Sequence, residues 1–506
     1  MNRMRALRAV PRGIALAVAA ALCSCAVGPN FHEPAAGQPE SFAAKAAAVK
    51  NPIDPAKWWH ALSDPELDSL VDRALQGNPG LDIALERLQE ARTYEIALAG
   101  YALPRMEAGS GGGRGTGSDM TRGRAPSPLQ SADRSLAGDS RITQVSGFDA
   151  VWDIDLFGRF RREIEAARYD AQAAAAVRDA VQVALIADVA RAYIDLRGLQ
   201  VQLAVLRENE HASKNLLDLV QARFDRGITN ELDLTLAQRE YANVQAQVAP
   251  LAAQVDAAAY AIAVLLGRFP EDMKDELSRP GLLPLLPQQV DPGQPLELIR
   301  RRPDVRAAEW DLGAATARVG IAVADLFPRI SLSGGIGVQS QGLGYEPRSS
   351  ARIWSAGYDA VLPLLDFGTL DSYVAIADLQ AREQLLNYKH TVQAAVQDVD
   401  TAMSALRGQE ERLARLGDAV AASQRAMALA TERYDRGLTD FLNVVDAQRT
   451  EYDLEGQYAI AETAAAEQFA ALYRALGGGW EQYAGPPALR TPNPAIVAMF
   501  RRLISP

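Results

Sequence analysis

The chain repeats itself, and that repeat limits its possible folds more than any other feature. Arg223-Phe-Asp-Arg-Gly-Ile-Thr229 returns as Arg433-Tyr-Asp-Arg-Gly-Leu-Thr439, a shift of 210 residues. The same shift carries Phe148-Asp-Ala-Val151 onto Tyr358-Asp-Ala-Val361 and Leu196-Arg-Gly198 onto Leu406-Arg-Gly408. Upstream, Leu103-Pro-Arg105 matches Phe327-Pro-Arg329 at a shift of 224, so the first copy carries about 14 extra residues between positions 105 and 148. A fixed internal period defines the structural unit. Here the unit is about half the chain, and each copy reads as strands followed by very long helices.

Two stretches alternate strictly with period two. Ile330, Leu332, Gly334, Ile336 and Val338 face one way, and Ser331, Ser333, Gly335, Gly337 and Gln339 the other. Ile353–Leu362 repeats the pattern, with Trp354, Tyr358 and Leu362 opposed by Ser355, Gly357 and Asp359. The first copy shows it around Phe148, Ala150, Trp152 and Ile154, whereas the run after Pro104 is too glycine-rich to reveal a face. About ten alternating residues is the length of a tilted strand crossing a bilayer. A soluble sandwich with one wet face alternates too. Aromatic residues near the ends of the apolar face, with small and acidic residues opposite, favour the membrane.

After each strand pair comes a helix without proline, from Phe160 to Arg226 in the first copy. At ~1.5 Å per residue it reaches ~100 Å. A return helix from Asn230 to about Leu266 and a shorter one, Pro79–Tyr101, together match its length. The second copy repeats this with Leu370–Arg436, Asp440–Leu476 and Pro303–Asp325. Two short helices stacked end to end beside one long helix is the expected arrangement. Gly227 and Gly437 suit the left-handed position past a helix end, and Thr229 or Asn230 and Thr439 or Asp440 can cap the next helix.

The N-terminus reads as a secretory signal over residues 1–24, with Arg3, Arg5, Arg8 and Arg12 preceding the apolar Ile14–Leu22. Leu22-Cys-Ser-Cys25 resembles a bacterial lipobox, which implies cleavage before Cys25 and its lipidation. The net charge of −11 argues against a nucleic-acid partner. No other uninterrupted apolar run approaches ~18 residues, so no transmembrane helix is expected. The boundaries read as a lipid-anchored extension 25–75, a first repeat 76–267 and a Pro-rich connector 268–300. A second repeat 301–477 and a C-terminal extension 478–506 follow. Strands are expected at about 104–114, 143–156, 329–339 and 352–365, helical tips at 226–230 and 436–440, and an exposed loop over Gly109–Ser140. The four histidines are isolated, and no nucleophile–base pair or phosphate loop occurs. A non-enzyme without metal or cofactor is expected.

Four strands cannot close, and an open edge in lipid leaves unpaired backbone groups. Strands from several chains are therefore required. At this point the chain resembles the TolC/OprM family of outer-membrane efflux lipoproteins. The resemblance rests on Leu22-Cys-Ser-Cys25-Ala-Val-Gly-Pro-Asn-Phe31, on the two strand–helix units, and on the second tip, Leu438-Thr-Asp-Phe-Leu-Asn-Val-Val-Asp-Ala-Gln-Arg449. It implies a mixed α and β membrane protein: a homotrimer with a 12-stranded β-barrel in the outer membrane, continued by a long α-helical barrel. Partners would be a periplasmic adaptor, an inner-membrane transporter and outer-membrane lipid. The duct would carry small toxic compounds passively; a type I protein-secretion duct and a poreless structural lipoprotein are the competing readings. Leu442 and Asp446 match the family's closed constriction, and Arg433 and Tyr434 match side chains that tie the closed tip, with Asp225 as an acidic partner. The tips Arg226, Gly227, Ile228, Thr229 and Arg436, Gly437, Leu438, Thr439 would meet the adaptor. From spacing alone, Asp446 and Arg433 are ordinary solvated helix charges; the family motif reverses that reading. The first copy has Leu236 where the second has Asp446, which singles out the second tip as the gate.

Overall fold

A computed structural model describes residues 26–35, 42, 53–116, 140–287, 301–342 and 349–481. The signal segment, Cys25 and most of the 25–75 extension upstream of residue 53 lie outside these residues. So do positions 117–139, 288–300 and 482–506.

The duplication is visible residue by residue. Strands β1 (Arg105–Thr116) and β2 (Ser140–Ile154) precede helix α3 (Arg159–Asp225) and helix α4 (Glu231–Leu265). Strands β3 (Arg329–Gly342) and β4 (Ser349–Val361) precede α7 (Thr369–Asp435) and α8 (Phe441–Ala475). α3 and α7 have 67 residues each, and α4 and α8 have 35 each. The shorter α2 (Pro79–Tyr101) and α6 (Pro303–Ala324) lead into the strand pairs. Helix α1 (Pro65–Gly77) and α5 (Pro270–Leu277) stand outside the repeat.

The four strands form one antiparallel sheet in the order β1-β2-β3-β4. Val151 faces Arg105 in the first copy and Val361 faces Arg329 in the second, so both hairpins share one register. The middle pair sets Phe148 opposite Ile336 and Trp152 opposite Leu332. All even positions therefore share one face, and Met106, Phe148, Ile336, Trp354 and Tyr358 on it are exposed. The opposite face carries Glu107, Asp149, Ser331, Ser333 and Asp359. A Cβ on Gly147 would lie 2.4 Å from the Ile336 carbonyl oxygen, so the backbones can approach there only because Gly147 faces Gly337.

Two boundary expectations change. The glycine-rich run is not loop from Gly109 onward: β1 continues to Thr116, and β2 begins at Ser140, inside the expected loop. β4 ends at Val361 rather than near 365, because β3 begins at Arg329 and has no residue to pair beyond it. Helix α4 is long and apolar enough to cross a bilayer by length and composition, which uninterrupted apolar runs do not reveal. Its apolarity is alanine-based, as in Ala257–Ala259, and α4 packs along α3 as the return arm of a hairpin. Pro250 sits inside α4, where it removes one ladder hydrogen bond.

The short helices meet end to end. Asn78, the cap of α2, donates from Nδ2 to the Leu265 carbonyl at 2.8 Å. In the second copy Arg302 donates to the Ala475 carbonyl at 3.0 Å and pairs with Asp398 of α7 at 3.0 Å. A core gathers around these junctions. Trp58 and Trp59, in a 3₁₀ segment Pro55–Leu62, and Leu67 and Leu70 of α1 pack on Tyr193, Ile194, Phe469 and Tyr473. Trp58 stacks on Tyr473 at 5.5 Å. The non-repeated segment thus covers apolar helix surface where the small seams of the long helices alone would leave it wet. At the other end, buried Arg162 donates to the carbonyls of Val27 (3.1 Å) and Gly28 (3.2 Å) and to Asn30 Oδ1 (2.8 Å). This fastens the segment after Cys25 to the strand–helix junction.

Candidate functional site

The two helical tips are built alike. Gly227 and Gly437 have φ of 66° and 69°, the left-handed region that favours glycine. Ile228 donates to the Arg223 carbonyl at 2.9 Å and Leu438 to the Arg433 carbonyl at 2.8 Å. These bonds satisfy the last helical carbonyls and turn the chain back. Asn230 caps α4, its Oδ1 accepting from Asp233 N at 2.9 Å. Asp440 precedes α8 without a side-chain cap bond. Thr229 instead donates to Asp233, and Asn443 donates to Thr439 Oγ1 at 2.8 Å.

The tips are held together by their own apolar cluster, separate from the large core. It comprises Val220, Leu234, Ala237, Tyr434, Phe441, Val444 and Val445. Tyr434 and Phe441 lie 5.5 Å apart between ring centroids. Arg223 covers the Tyr434 ring at 4.7 Å and reaches Asp435 at 3.9 Å. Deeper in the hairpins, buried Gln448 donates to Ser213 Oγ at 3.0 Å, joining α8 to α3.

Of the residues expected at the gate, Tyr434 is buried in this cluster while Arg433, Asp225, Leu442 and Asp446 are exposed. Asp225 accepts from Gln221 Nε2 at 2.9 Å. Within one chain the basic partner of Tyr434 is Arg223, from the first copy. Sequence reasoning passed over it because the family resemblance drew attention to Arg433, its counterpart in the second copy. Phe441 was likewise unmarked, although the aromatic at the first turn of α8, where α4 has Glu231, was a readable signal. Arg226, Gly227, Ile228, Arg436, Gly437 and Leu438 form exposed ends, and Ile228 and Leu438 present 65% and 63% of their surface. Thr229 and Thr439 are half-buried beside them. Between the tips lies an open cleft of about 400 Å³ lined by Arg223, Ile228, Asp233, Tyr434, Phe441 and Leu442.

The first two turns of α8 divide their roles by face. Phe441, Val444, Val445 and Gln448 point into the chain, while Leu442 and Asp446, four residues apart, share the exposed side. The first copy puts Leu236 at the Asp446 position, packed against the cluster. Among the described residues no three His, Cys, Asp or Glu side chains group as a metal site.

The family model described as outer membrane efflux protein matches residues 70–268 and 295–478. The chain is a member of that family. It is 32% identical to outer membrane protein OprJ of Pseudomonas aeruginosa over 473 residues, covering 92% of this chain and 96% of OprJ. The solved outer-membrane channel OprN superposes with a TM-score of 0.80 at 35% identity, covering 90% of this chain and 100% of that one. The open state of the Neisseria gonorrhoeae MtrE outer-membrane channel gives 0.78 at 28% identity, covering 91% and 100%. The protein is therefore an outer-membrane efflux channel of a Gram-negative bacterium.

Proposed function

We propose that three copies of this chain form the exit duct of a tripartite efflux pump, gated at the second helical tip. The sheet crosses the outer membrane with Phe148, Ile336, Trp354 and Tyr358 toward lipid and the Asp149–Ser331–Asp359 face toward a wet lumen. β1 and β4 are open edges, which lipid does not tolerate, so neighbouring chains must pair them. Three chains supply twelve strands, enough for a water-filled passage, and the hairpins continue it as a helical barrel. Residues 1–24 act as the signal, and lipid on Cys25 anchors the mature chain beside the barrel base, where Arg162 holds Val27, Gly28 and Asn30.

The observation that carries the gate is the exposed Leu442–Asp446 face, opposite the buried one. On a threefold axis, three leucines make a dry constriction and three carboxylates a ring that attracts cations and repels itself. Such a ring shuts only while other contacts compensate. Arg433, exposed at the same tip, supplies charge toward a neighbouring chain, with Asp225 as its acidic counterpart. Exposed Ile228 and Leu438 with Arg226 and Arg436 give an adaptor protein an apolar, basic end to grip. The inner-membrane transporter supplies the energy, and the duct conducts small toxic compounds passively. The test is single-channel conductance in planar bilayers. Leu442→Ala with Asp446→Ala should raise it several-fold; unchanged conductance would sink the gate assignment.

A further inference from the structure

One basic side chain stands on the apolar face of the sheet. Even positions carry that face, and among the described residues Arg352 of β4 is the charged side chain on it. Glu107, Asp149 and Asp359 all lie on the opposite face. Arg352 is exposed, and among the described residues no carboxylate shares its face. Its charge is left for something outside the sheet. The counterpart one repeat earlier is Ile142, so the feature occurs once per chain.

The registers give Arg352 a definite depth. Val338, Ser146 and Ser110 follow it across the sheet in one row, and the two serine hydroxyls share a hydrogen bond at 2.7 Å. The next row, farther from the helices, is Ser340, Gln144 and Gly112. Rows on the helix side are apolar: Phe148, Ile336 and Trp354, then Ala150, Gly334 and Ala356, then Trp152, Leu332 and Tyr358. Arg352 therefore marks the edge of the apolar band. Ala360, near the other edge, is ~26 Å away along the strand at ~3.3 Å per residue, or ~20 Å across a strand tilted by ~40°. A cation on a lipid-facing strand is least costly at such an edge and most costly at mid-depth. The helices leave from the opposite strand ends, so this edge belongs to the outer leaflet.

Beside the guanidinium runs an open furrow of about 870 Å³, lined by Ser110, Ser146, Phe148, Ile336, Arg352 and Trp354. Small-molecule sites fall in the same range, ~300–1,000 Å³. Trp354 is 80% exposed and forms one wall. The row beneath it, Ala150, Gly334 and Ala356, has no side chain larger than a methyl group, so the surface drops between Trp354 and Tyr358. One surface thus offers a forked cation, a level of hydroxyl and amide groups, and an apolar trough leading toward mid-membrane. That order fits a molecule carrying phosphate, sugar and acyl chain together. A guanidinium matches phosphate oxygens two at a time.

We propose that this furrow holds a phosphorylated glycolipid of the outer leaflet. Its phosphate sits on Arg352, its sugar hydroxyls at the level of Ser110, Gln144 and Ser340, and an acyl chain lies over Trp354 and the small-residue row.

This inference rests on the lipid-facing sheet proposed above, and the test separates the two. The full-length protein is purified in mild detergent, incubated with diphosphoryl lipid A and weighed by native mass spectrometry. The unsubstituted protein should retain the lipid. Arg352→Gln should retain roughly tenfold less, as expected for lost charge-assisted hydrogen bonds. Arg382→Gln, an exposed arginine on α7, should match the unsubstituted protein. Equal retention by Arg352→Gln, or equal loss in Arg382→Gln, overturns the site. Displacement by inorganic phosphate at matched concentration would make it a free-anion site, and tighter retention of phosphatidylglycerol would make it a phospholipid site; either overturns the glycolipid. Brominated phospholipids check the membrane face. They should quench tryptophan emission, and Trp354→Phe should remove part of the quenched signal. Without that quenching the lipid-facing sheet itself fails; with it, equal lipid retention by Arg352→Gln overturns the glycolipid site alone.

Discussion

Replacing Phe441 by alanine tests whether the tips are an independently stabilised unit. The ring is 1% exposed and sits between Val220 and Val444, both fully buried, with Tyr434 at 5.5 Å. Removing a buried phenylalanine costs roughly 3–5 kcal/mol, from lost transfer energy and the cavity left behind. The lost aromatic pair contributes about 0.5–1.5 kcal/mol of that context. The tip cluster has seven buried members and does not merge with the equatorial core around Trp58 and Tyr473. The loss therefore falls on local opening rather than on global unfolding. At about 1.4 kcal/mol per tenfold, local opening should rise on the order of a thousandfold. Amide hydrogen exchange by mass spectrometry is the assay. Peptides covering Val220–Ala237 and Tyr434–Gln448 should lose protection while those around Tyr193 and Phe469 keep theirs. Unchanged protection at the tips, or loss spread through the equatorial core, would refute the reasoning.

Other substitutions probe single links of the argument. Gly437→Ala meets no atom within 4 Å, so its cost is backbone strain at φ 69° alone, roughly 1–2 kcal/mol, read as a lower local exchange barrier at the second tip. If Gly437→Ala leaves exchange at Tyr434–Leu438 untouched, the left-handed turn is not what holds the tip. Cys25→Ala should abolish labelling by radioactive fatty acid, and surviving label would move the anchor elsewhere. Burial, reinforced by Glu33 and opposed by Arg306, holds the Glu309 carboxyl above the usual carboxylate range. The folded state then keeps that proton at pH values where the unfolded chain has lost it. Glu309 thus favours folding below the ordinary glutamate pKa, and stability falls as pH rises from there through the raised value. Glu309→Gln should flatten that fall in thermal melts followed by helical circular dichroism; an unchanged slope would contradict the assignment.

Much of the architecture was legible because it depends on periodicity. Alternation at Ile330–Val338 and the proline-free run from Phe160 are local signals. The repeat doubled each of them, so helix Pro79–Tyr101 could be bounded from the residues alone, and the helix read from Phe160 to Arg226 falls within one residue of Arg159–Asp225 at each end. The glycine run after Pro104 was illegible because glycine has no side chain to show a face. Its strand exists because β2 offers a partner of matching register. The early end of β4 has the converse cause, since Leu362 to Leu365 find no partner within the chain.

The proposed gate divides in the same way. Sequence by itself determined that two Arg-Tyr/Phe-Asp-Arg-Gly turns exist, that each needs a left-handed glycine, and that only the second carries Asp446. Turn geometry and helix period are properties of neighbouring residues, so they need no fold to be read. Only the tertiary structure decided that Tyr434 faces inward, under Arg223 of the other repeat. It alone put Phe441 into the tip core and left Leu442 and Asp446 on the outer side of the same two turns. Those choices follow from how four helices share one small apolar cluster. They depend on residues more than 200 positions apart, and no local pattern encodes which face of α8 meets them.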